Sequence, residues 1–129
     1  MRVSGLNVFC LTLLLSLSAP VEATHLPQTE PEPEPSLSPG DVVSIQIEAL
    51  KNNDILYKDR GIEVTFNFAS PTNKRMTGPI GRFKAMLHSP VYGPMINHRD
   101  AKYENVRVEG ELARIDVILN SRDGEYLVD

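Results

Sequence analysis

Apolar side chains in the first half of the chain recur at the spacing of a helix. A stripe at i, i+4 and i+7 with flanking neighbours is formed by Val43, Ile47, Leu50, Val42, Ile45 and Ala49. The preceding Ser38-Pro39-Gly40-Asp41 places serine at an N-cap, proline at the first helical position and an acid at the third. This pattern predicts a helix that begins after Ser38, buries one face and ends at Asn52-Asn53-Asp54.

The segment from Gly61 to Ala69 fits two periodicities. Apolar and polar residues alternate, with Ile62, Val64, Phe66 and Phe68 at the apolar positions, and this alternation alone indicates a strand. Ile62, Phe66 and Ala69 also match the spacing of a helix. The residues themselves therefore leave both structures open.

A second helical stripe follows a segment that we interpret as a turn, Ser70-Pro71-Thr72-Asn73. Thr77-Gly78-Pro79 opens the helix, and Ser89-Pro90 ends it. Its predicted buried face consists of Ile80, Phe83, Met86 and Leu87. A short segment, Val91 to Ile96, is expected to direct Tyr92 and Met95 toward the same core.

From Ala101 onward the pattern becomes that of strands. Alternating apolar positions lie on both sides of Glu109-Gly110-Glu111, namely Tyr103, Val106 and Val108 before it and Ala113, Ile115, Val117 and Leu119 after it. This predicts an antiparallel hairpin, followed by a tight turn at Ser121–Gly124 and a third strand at 125–129. Helices followed by strands predict one α+β domain over residues 38–129, with the N-terminal helices packed on an antiparallel sheet.

The first 37 residues are interpreted as a leader and a spacer. Arg2, an apolar run from Val8 to Leu17 and small residues at Val21 and Ala23 are typical of a secretory signal peptide over residues 1–23. Residues 24–37 contain a run in which glutamate alternates with proline, from Glu30 to Pro35, and this run predicts an extended, disordered spacer without packed structure. We expect the mature protein to lie in the secretory pathway or outside the cell. A plastid or thylakoid lumen is the alternative.

Composition and charge narrow the classes of function. The 129 residues are 41% hydrophobic and 23% charged, which allows one domain, and the net charge of -4 disfavours nucleic-acid binding. The one cysteine, Cys10, lies in the leader, so no disulfide is expected in the mature chain. The apolar run is too short for a membrane span, and none is expected after cleavage. No metal-binding spacing or phosphate loop is visible, and no cofactor is predicted.

Three segments carry a family resemblance: VVSIQIEALKNND, GIEVTFNFASPTNKRMTGPIGRFKAML and YGPMINHRDA. The chain from about Pro39 resembles the sequences grouped as domain of unknown function 4864, which are similar to the nuclear-transport-factor-2-like superfamily. The resemblance implies a cone in which three N-terminal helices cover a curved antiparallel sheet and enclose a pocket. It also favours a helix between Ile62 and Ala69.

The end of the chain departs from that family. Members continue through further strands, usually with a tryptophan, whereas this chain has no Trp and ends at Asp129. We expect the C-terminal strands either to be truncated or to be completed by a partner. A second copy of the chain, paired through the sheet edge to form a homodimer, is one such partner.

Two classes of function remain for this domain. The first is a non-catalytic binding or assembly module for a small apolar molecule, with a pocket lined by Phe66, Phe83, Met86, Tyr92 and Met95. The alternative is a small acid-base enzyme, isomerase or dehydratase-like, for which the polar candidates are His98, Asp100 and Tyr103. We interpret His98 and Asp100 as residues of an exposed polar connector, so a catalytic set is not predicted.

Overall fold

The computed structural model describes residues 29–128, in which helices precede a three-stranded sheet. The helices are α1 (Pro39–Lys51), α2 (Arg60–Phe68), α3 (Pro71–Thr77) and α4 (Ile80–Leu87), followed by a short 3-10 helix at Gly93–Met95. The strands are β1 (Asp100–Glu109), β2 (Leu112–Ser121) and β3 (Gly124–Val128). The predicted α+β class is confirmed. No helix within the described residues has the length and apolar character needed to cross a membrane.

The start of α1 has the predicted capping box. The backbone N–H of Asp41 donates to Ser38 Oγ over 3.2 Å, and the Asp41 carboxylate accepts from the Ser38 hydroxyl and from its backbone N–H. These two hydrogen bonds lower the pKa of Asp41. The helix ends at Lys51. Its C-cap is Asn52, the first residue of the predicted Asn52-Asn53-Asp54 end.

Helix α1 contributes a side chain to each of three apolar clusters. Ile47 packs with the inward-facing residues of β2, Leu50 packs with α2 and α4, and Ala49 packs with the outer side of α2. The predicted stripe is therefore buried, and it is wide because neighbours lie on more than one side. This central position makes α1 the element that joins the helical layer to the sheet.

The packing of α2 on two sides explains why its sequence also fits the alternation of a strand. Ile62 and Phe66 belong to the cluster shared with α4, whereas Val64 and Phe68 belong to the cluster on the other side of α2. Members of each pair are four residues apart, and the pairs are offset by two residues, which is about 200° around a helix. Burial on two opposite sides thus produces an apolar residue at every second position.

Two expectations about the following helices are wrong. The interpreted turn over Ser70–Asn73 is the start of α3, because Ser70 Oγ accepts from the backbone N–H of Asn73 and Pro71 takes the first helical position. Ile80, predicted on the buried face of α4, is the first helical residue and is 36% exposed. Phe83 and Leu87 on that face are buried.

The sheet has the order β1-β2-β3, with both neighbouring pairs antiparallel. Glu109 pairs with Leu112 and Ser121 with Gly124, so both predicted turns are confirmed. A β-bulge interrupts β1: Glu104 pairs with Asp116 and Arg107 with Arg114, which leaves two residues opposite one. Asn105 at this bulge has a positive φ of 48°.

Three residues of the predicted spacer contact the domain. Glu30 Oε1 accepts from Arg60 Nε over 2.8 Å. Pro31 lines a groove on the outer side of α1 and α2, and Leu37 packs beside Ala49. The predicted leader, residues 1–23, lies outside the described residues.

Candidate functional site

A cavity of about 300 Å³, hereafter the central cavity, lies between the helices and the sheet. Its lining comes from α1, α2 and the residue after it, α3, α4, the 3-10 helix, β2 and β3. These lining residues are Val43, Gln46, Ile47, Leu50, Thr65, Ala69, Asn73, Phe83, Met95, Ile115, Val117 and Val128. All are apolar except Gln46, Thr65 and Asn73, and none of these twelve side chains is ionisable. Such a lining suits a small, mainly apolar ligand.

The two largest faces of the central cavity follow from the periodicity of their elements. Val43, Ile47 and Leu50 share one face of α1 because three or four residues make one helical turn. Ile115 and Val117 share one face of β2 because side chains alternate across a strand. The cavity lies where these two apolar faces meet without filling the space between them.

The polar side chains of the central cavity already make hydrogen bonds within and between helices. Gln46 Nε2 donates to the carbonyl oxygen of Thr65 over 3.1 Å, and Thr65 Oγ1 donates to the carbonyl oxygen of Gly61 over 2.8 Å. Asn73 Oδ1 accepts from the Thr77 hydroxyl over 2.9 Å. These bonds use one end of each amide. Gln46 Oε1 and Asn73 Nδ2 are therefore the atoms that can orient a polar group of a ligand.

Only part of the predicted apolar set lines the central cavity. Phe83 and Met95 do so. Phe66 packs its ring against Phe83 with centroids 5.1 Å apart, and Met86 joins the same cluster without reaching the cavity lining. Tyr92 is exposed and does not line the cavity either.

The three polar candidates do not form one site. His98 is 3% exposed, so its interpretation as a surface connector residue is wrong. Its Nδ1 donates to the carbonyl oxygen of Met95 over 2.8 Å, and its Nε2 is buried without a hydrogen-bond partner among the described residues. Asp100 is exposed at the start of β1, and Tyr103 is exposed opposite Val117. No hydrogen bond within residues 29–128 joins the three.

The structure shows a second, more polar cavity near the end of α4, hereafter the polar cleft. It has a volume of about 460 Å³ and is lined by polar and small residues around His88, namely Ser89, Pro90, Gly93, Pro94, Ile96, Asn97, Ser121, Arg122, Asp123 and Tyr126. His88 Nε2 donates to Asp59 Oδ1 over 2.8 Å. A carboxylate in this position orients the imidazole ring.

The loop between α1 and α2 holds Asp59 in place. Asp54 accepts from the backbone N–H of Asp59 and from Asn97 Nδ2, both over 2.9 Å, and these bonds lower the pKa of Asp54. Asn53 is fully buried, and its Oδ1 accepts from the N–H of Ile62. Asn53 therefore caps α2, whose N-cap residue Asp59 supplies no side-chain cap. The loop predicted simply to end α1 organises the start of α2.

Sequence patterns indicated several residues that the site uses, although not their shared role. The stripe of α1 and the alternation of β2 predict positions in the core, yet part of each lines the central cavity. Gln46 is the polar residue next to Ile47 within that stripe, and this interruption is the signal that points to a polar cavity wall. No sequence feature paired Asp59 with His88, because 29 positions separate them.

Within residues 29–128, no group of three or more His, Cys, Asp or Glu side chains is arranged to hold a metal ion. Comparison with models of protein families, with curated proteins and with solved structures found no match to this chain. The function is therefore argued from the two cavities and their side chains.

Proposed function

We propose that this domain is a non-catalytic binding module for a small, mainly apolar molecule with one hydroxyl or carbonyl group. The observation that carries the proposal is the apolar lining of the central cavity, in which Gln46 and Asn73 are the available polar contacts. A ligand in such a cavity gains by removing apolar surface from water, and a few placed polar groups fix its orientation.

The proposed fold is the helix-covered end of a nuclear-transport-factor-2-like cone, in the family grouped as domain of unknown function 4864. Support comes from the order of elements, in which helices precede an antiparallel sheet and pack on one of its faces. The position of the cavity between these two layers supports the same assignment. Function does not follow from this fold alone, because one fold can carry many different sites.

The experiment uses 1-octanol as probe, with methyl NMR of Ile115 and Val117 as the readout. Saturable shifts of these methyl signals are expected in the purified chain. Val43→Phe should abolish them, because the larger ring occupies the central cavity. Val42→Phe is the matched control: Val42 is also half-buried in α1 but packs on the outer side of α2. If octanol binding persists in a folded Val43→Phe variant, the central cavity is not the site.

A second candidate, a small acid-base enzyme, is favoured by the pair of His88 and Asp59. Asp59 accepts a hydrogen bond from His88 Nε2. Nδ1 is therefore the imidazole nitrogen that can exchange a proton with a molecule in the polar cleft. Arg122 lines the same cleft and offers a guanidinium that suits a carboxylate. The substrate class would be a small carboxylic acid with an acidic C–H bond beside a carbonyl.

Exchange of the pyruvate methyl protons in D₂O, followed by NMR, tests this second candidate. His88 Nδ1 would take a proton from the methyl carbon, the C–H electron pair would form the C=C bond of the enolate, and the carbonyl π pair would move to oxygen. Exchange of the Nδ1 proton with D₂O and return of a deuteron to the carbon would complete the cycle. The exchange should fall about 100-fold or more in His88→Gln. His25→Gln controls for the loss of a histidine. Exchange at the uncatalysed rate in the wild-type chain would exclude the reaction for this probe.

The proposed place of action is the secretory pathway or the extracellular space, with a plastid or thylakoid lumen as the alternative. The pattern over residues 1–23 supports export, with cleavage before Thr24. N-terminal sequencing of the native protein tests this point. Recovery of intact Met1 from a cytosolic fraction would contradict it.

A further inference from the structure

The far edge of β1 is unpaired within residues 29–128, where β1 bonds to β2 on one side only. The strand is ten residues long and contains no proline, so every residue has a backbone N–H. An edge of this length offers a row of donors and acceptors to another strand. The side chains of β1 then decide which strand fits.

The bulge divides β1 into two halves. The apolar side chains of both halves lie on one face of the sheet, and the charged side chains of both halves lie on the other. Tyr103 pairs with Val117 and Val108 pairs with Ala113, so both point to the face that also carries Ile115. Residues on the opposite face are Lys102 and Glu104 before the bulge and Arg107 and Glu109 after it. The extra residue at the bulge shifts the even-odd alternation by one position.

We propose that β1 pairs antiparallel with β1 of a second copy of this chain, about a two-fold axis between Asn105 and Val106. In this register Lys102 lies opposite Glu109 of the second copy, and Glu104 lies opposite Arg107 of the second copy. On the other face Tyr103 lies opposite Val108 of the second copy. The symmetry repeats each pair, so opposite charges meet on one face and apolar side chains meet on the other.

Neighbouring registers fit less well. A shift of two residues places Lys102 opposite Arg107 in one direction and Glu104 opposite Glu109 in the other, and both bring like charges together. A shift of one residue places Tyr103 opposite a charged residue, because it pairs opposite faces of the two strands. The two-fold register is thus selected by charge and by the bulge together.

The apolar face of β1 supplies surface for the same contact. Tyr103 is 43% exposed, Val106 63% and Val108 65%, because the helical layer packs mainly on β2 and not on β1. Pairing joins the patches of the two copies across one continuous sheet. The central cavity lies at the α1, β2 and β3 side of the domain, so this inference does not depend on the proposed function.

Charge reversal tests the register by sedimentation of the purified chain at micromolar to millimolar concentration. The wild type should dimerise. Lys102→Glu and Glu109→Lys should each lower the association constant by about tenfold, because each turns two attractive pairs per dimer into repulsive ones. The double variant carrying both changes should recover the wild-type association constant. High salt should shrink the difference between single and double variants.

Matched controls change the same charges outside the paired segment. Lys58→Glu lies in the loop before α2 and Glu125→Lys at the start of β3, and both positions are exposed. Neither should alter the association constant as much as the matching change in β1. A monomeric wild-type chain over the whole concentration range would overturn the proposal. Dimerisation that is insensitive to the β1 reversals would also overturn it.

Disulfide trapping gives a second test that does not depend on charge. In a Cys10→Ser background, a Tyr103→Cys chain mixed with a Val108→Cys chain should form a disulfide-linked heterodimer, since opposite Cα atoms of antiparallel strands are about 4.5–5.5 Å apart. Either variant alone should form little disulfide-linked dimer, because the engineered thiols of its two copies would lie about 17 Å apart along the paired strands. Equal trapping of the single variants would refute the register.

Discussion

The two ends of the β1–β2 hairpin have the same alternating pattern and opposite environments. At the end near the 3-10 helix, Val117 and Leu119 are buried under α1. At the turn end, Val108 is 65% exposed although its pairing with Ala113 places it on the same face. Alternation therefore specifies which face is apolar. Whether that face is covered depends on how far the helical layer reaches.

Loss of the Phe83 side chain from the helical layer should cause the largest fall in stability. This ring packs with Leu50, Ile62 and Leu87 and contacts Phe66. Phe83→Ala should lower the free energy of unfolding by about 3–5 kcal/mol, because it removes a buried ring and leaves a cavity. Denaturant titration measures this change. A loss below about 1 kcal/mol would show that the helical layer does not depend on this cluster.

The next largest effect on stability is expected at Gly61, where α2 packs closely against α1. A Cβ at this position would lie 2.0 Å from the carbonyl oxygen of Ala49, so any side chain forces α2 away from α1. Gly61→Ala should cost about 3 kcal/mol of stability. Gly81→Ala in α4 is the control: nothing lies within 4 Å of its Cβ, and helix propensity predicts a gain of up to about 1 kcal/mol. Equal effects would contradict close α1–α2 packing.

Valine truncation compares the two ends of the hairpin directly. Val117→Ala removes methyl groups from the core and should cost about 2–3 kcal/mol, whereas Val108→Ala should change stability by no more than about 0.5 kcal/mol in the dilute monomer. Thermal or denaturant unfolding at low concentration gives both values. Similar losses would mean that the turn end is also covered in solution.

His98 tests the connector that leads from the helical layer into β1. His98→Ala should cost about 1–3 kcal/mol, because it leaves the carbonyl oxygen of Met95 without its hydrogen bond and opens buried space. Arg99→Ala, at the exposed neighbouring position, should stay within about 0.5 kcal/mol. A neutral His98→Ala would restore the surface interpretation made from the sequence.

The smallest expected effect is the pH dependence contributed by Asp54. Its folded-state pKa is lowered by the Asp59 N–H and by Asn97, so its contribution is present above the ordinary Asp pKa near 4 and is lost as pH falls through the lowered value. The free energy of unfolding should therefore decline less steeply with acid in Asp54→Asn than in wild type. Equal slopes below about pH 4 would contradict this assignment.

Local sequence signals predicted the elements that are stabilised by neighbouring residues. The capping box at Ser38 and Asp41 and both strand turns were found this way, because their hydrogen bonds join residues close in sequence. The same serine-proline signal at Ser70 fits a turn as well as a helix start, and in this protein it starts α3. Contacts between distant segments were not predictable locally, as the Glu30–Arg60 and Asp59–His88 pairs show.

The sequence by itself determined the α+β order, the apolar faces of α1 and β2, and the ends of most elements. Periodicity and capping are local properties, and they need no knowledge of the rest of the chain. Tertiary structure alone decided that His98 is buried, that part of the core face lines a cavity and that the turn end of β1 is uncovered. Each of these depends on where separate elements stop relative to one another, and packing sets that position through contacts between residues distant in sequence.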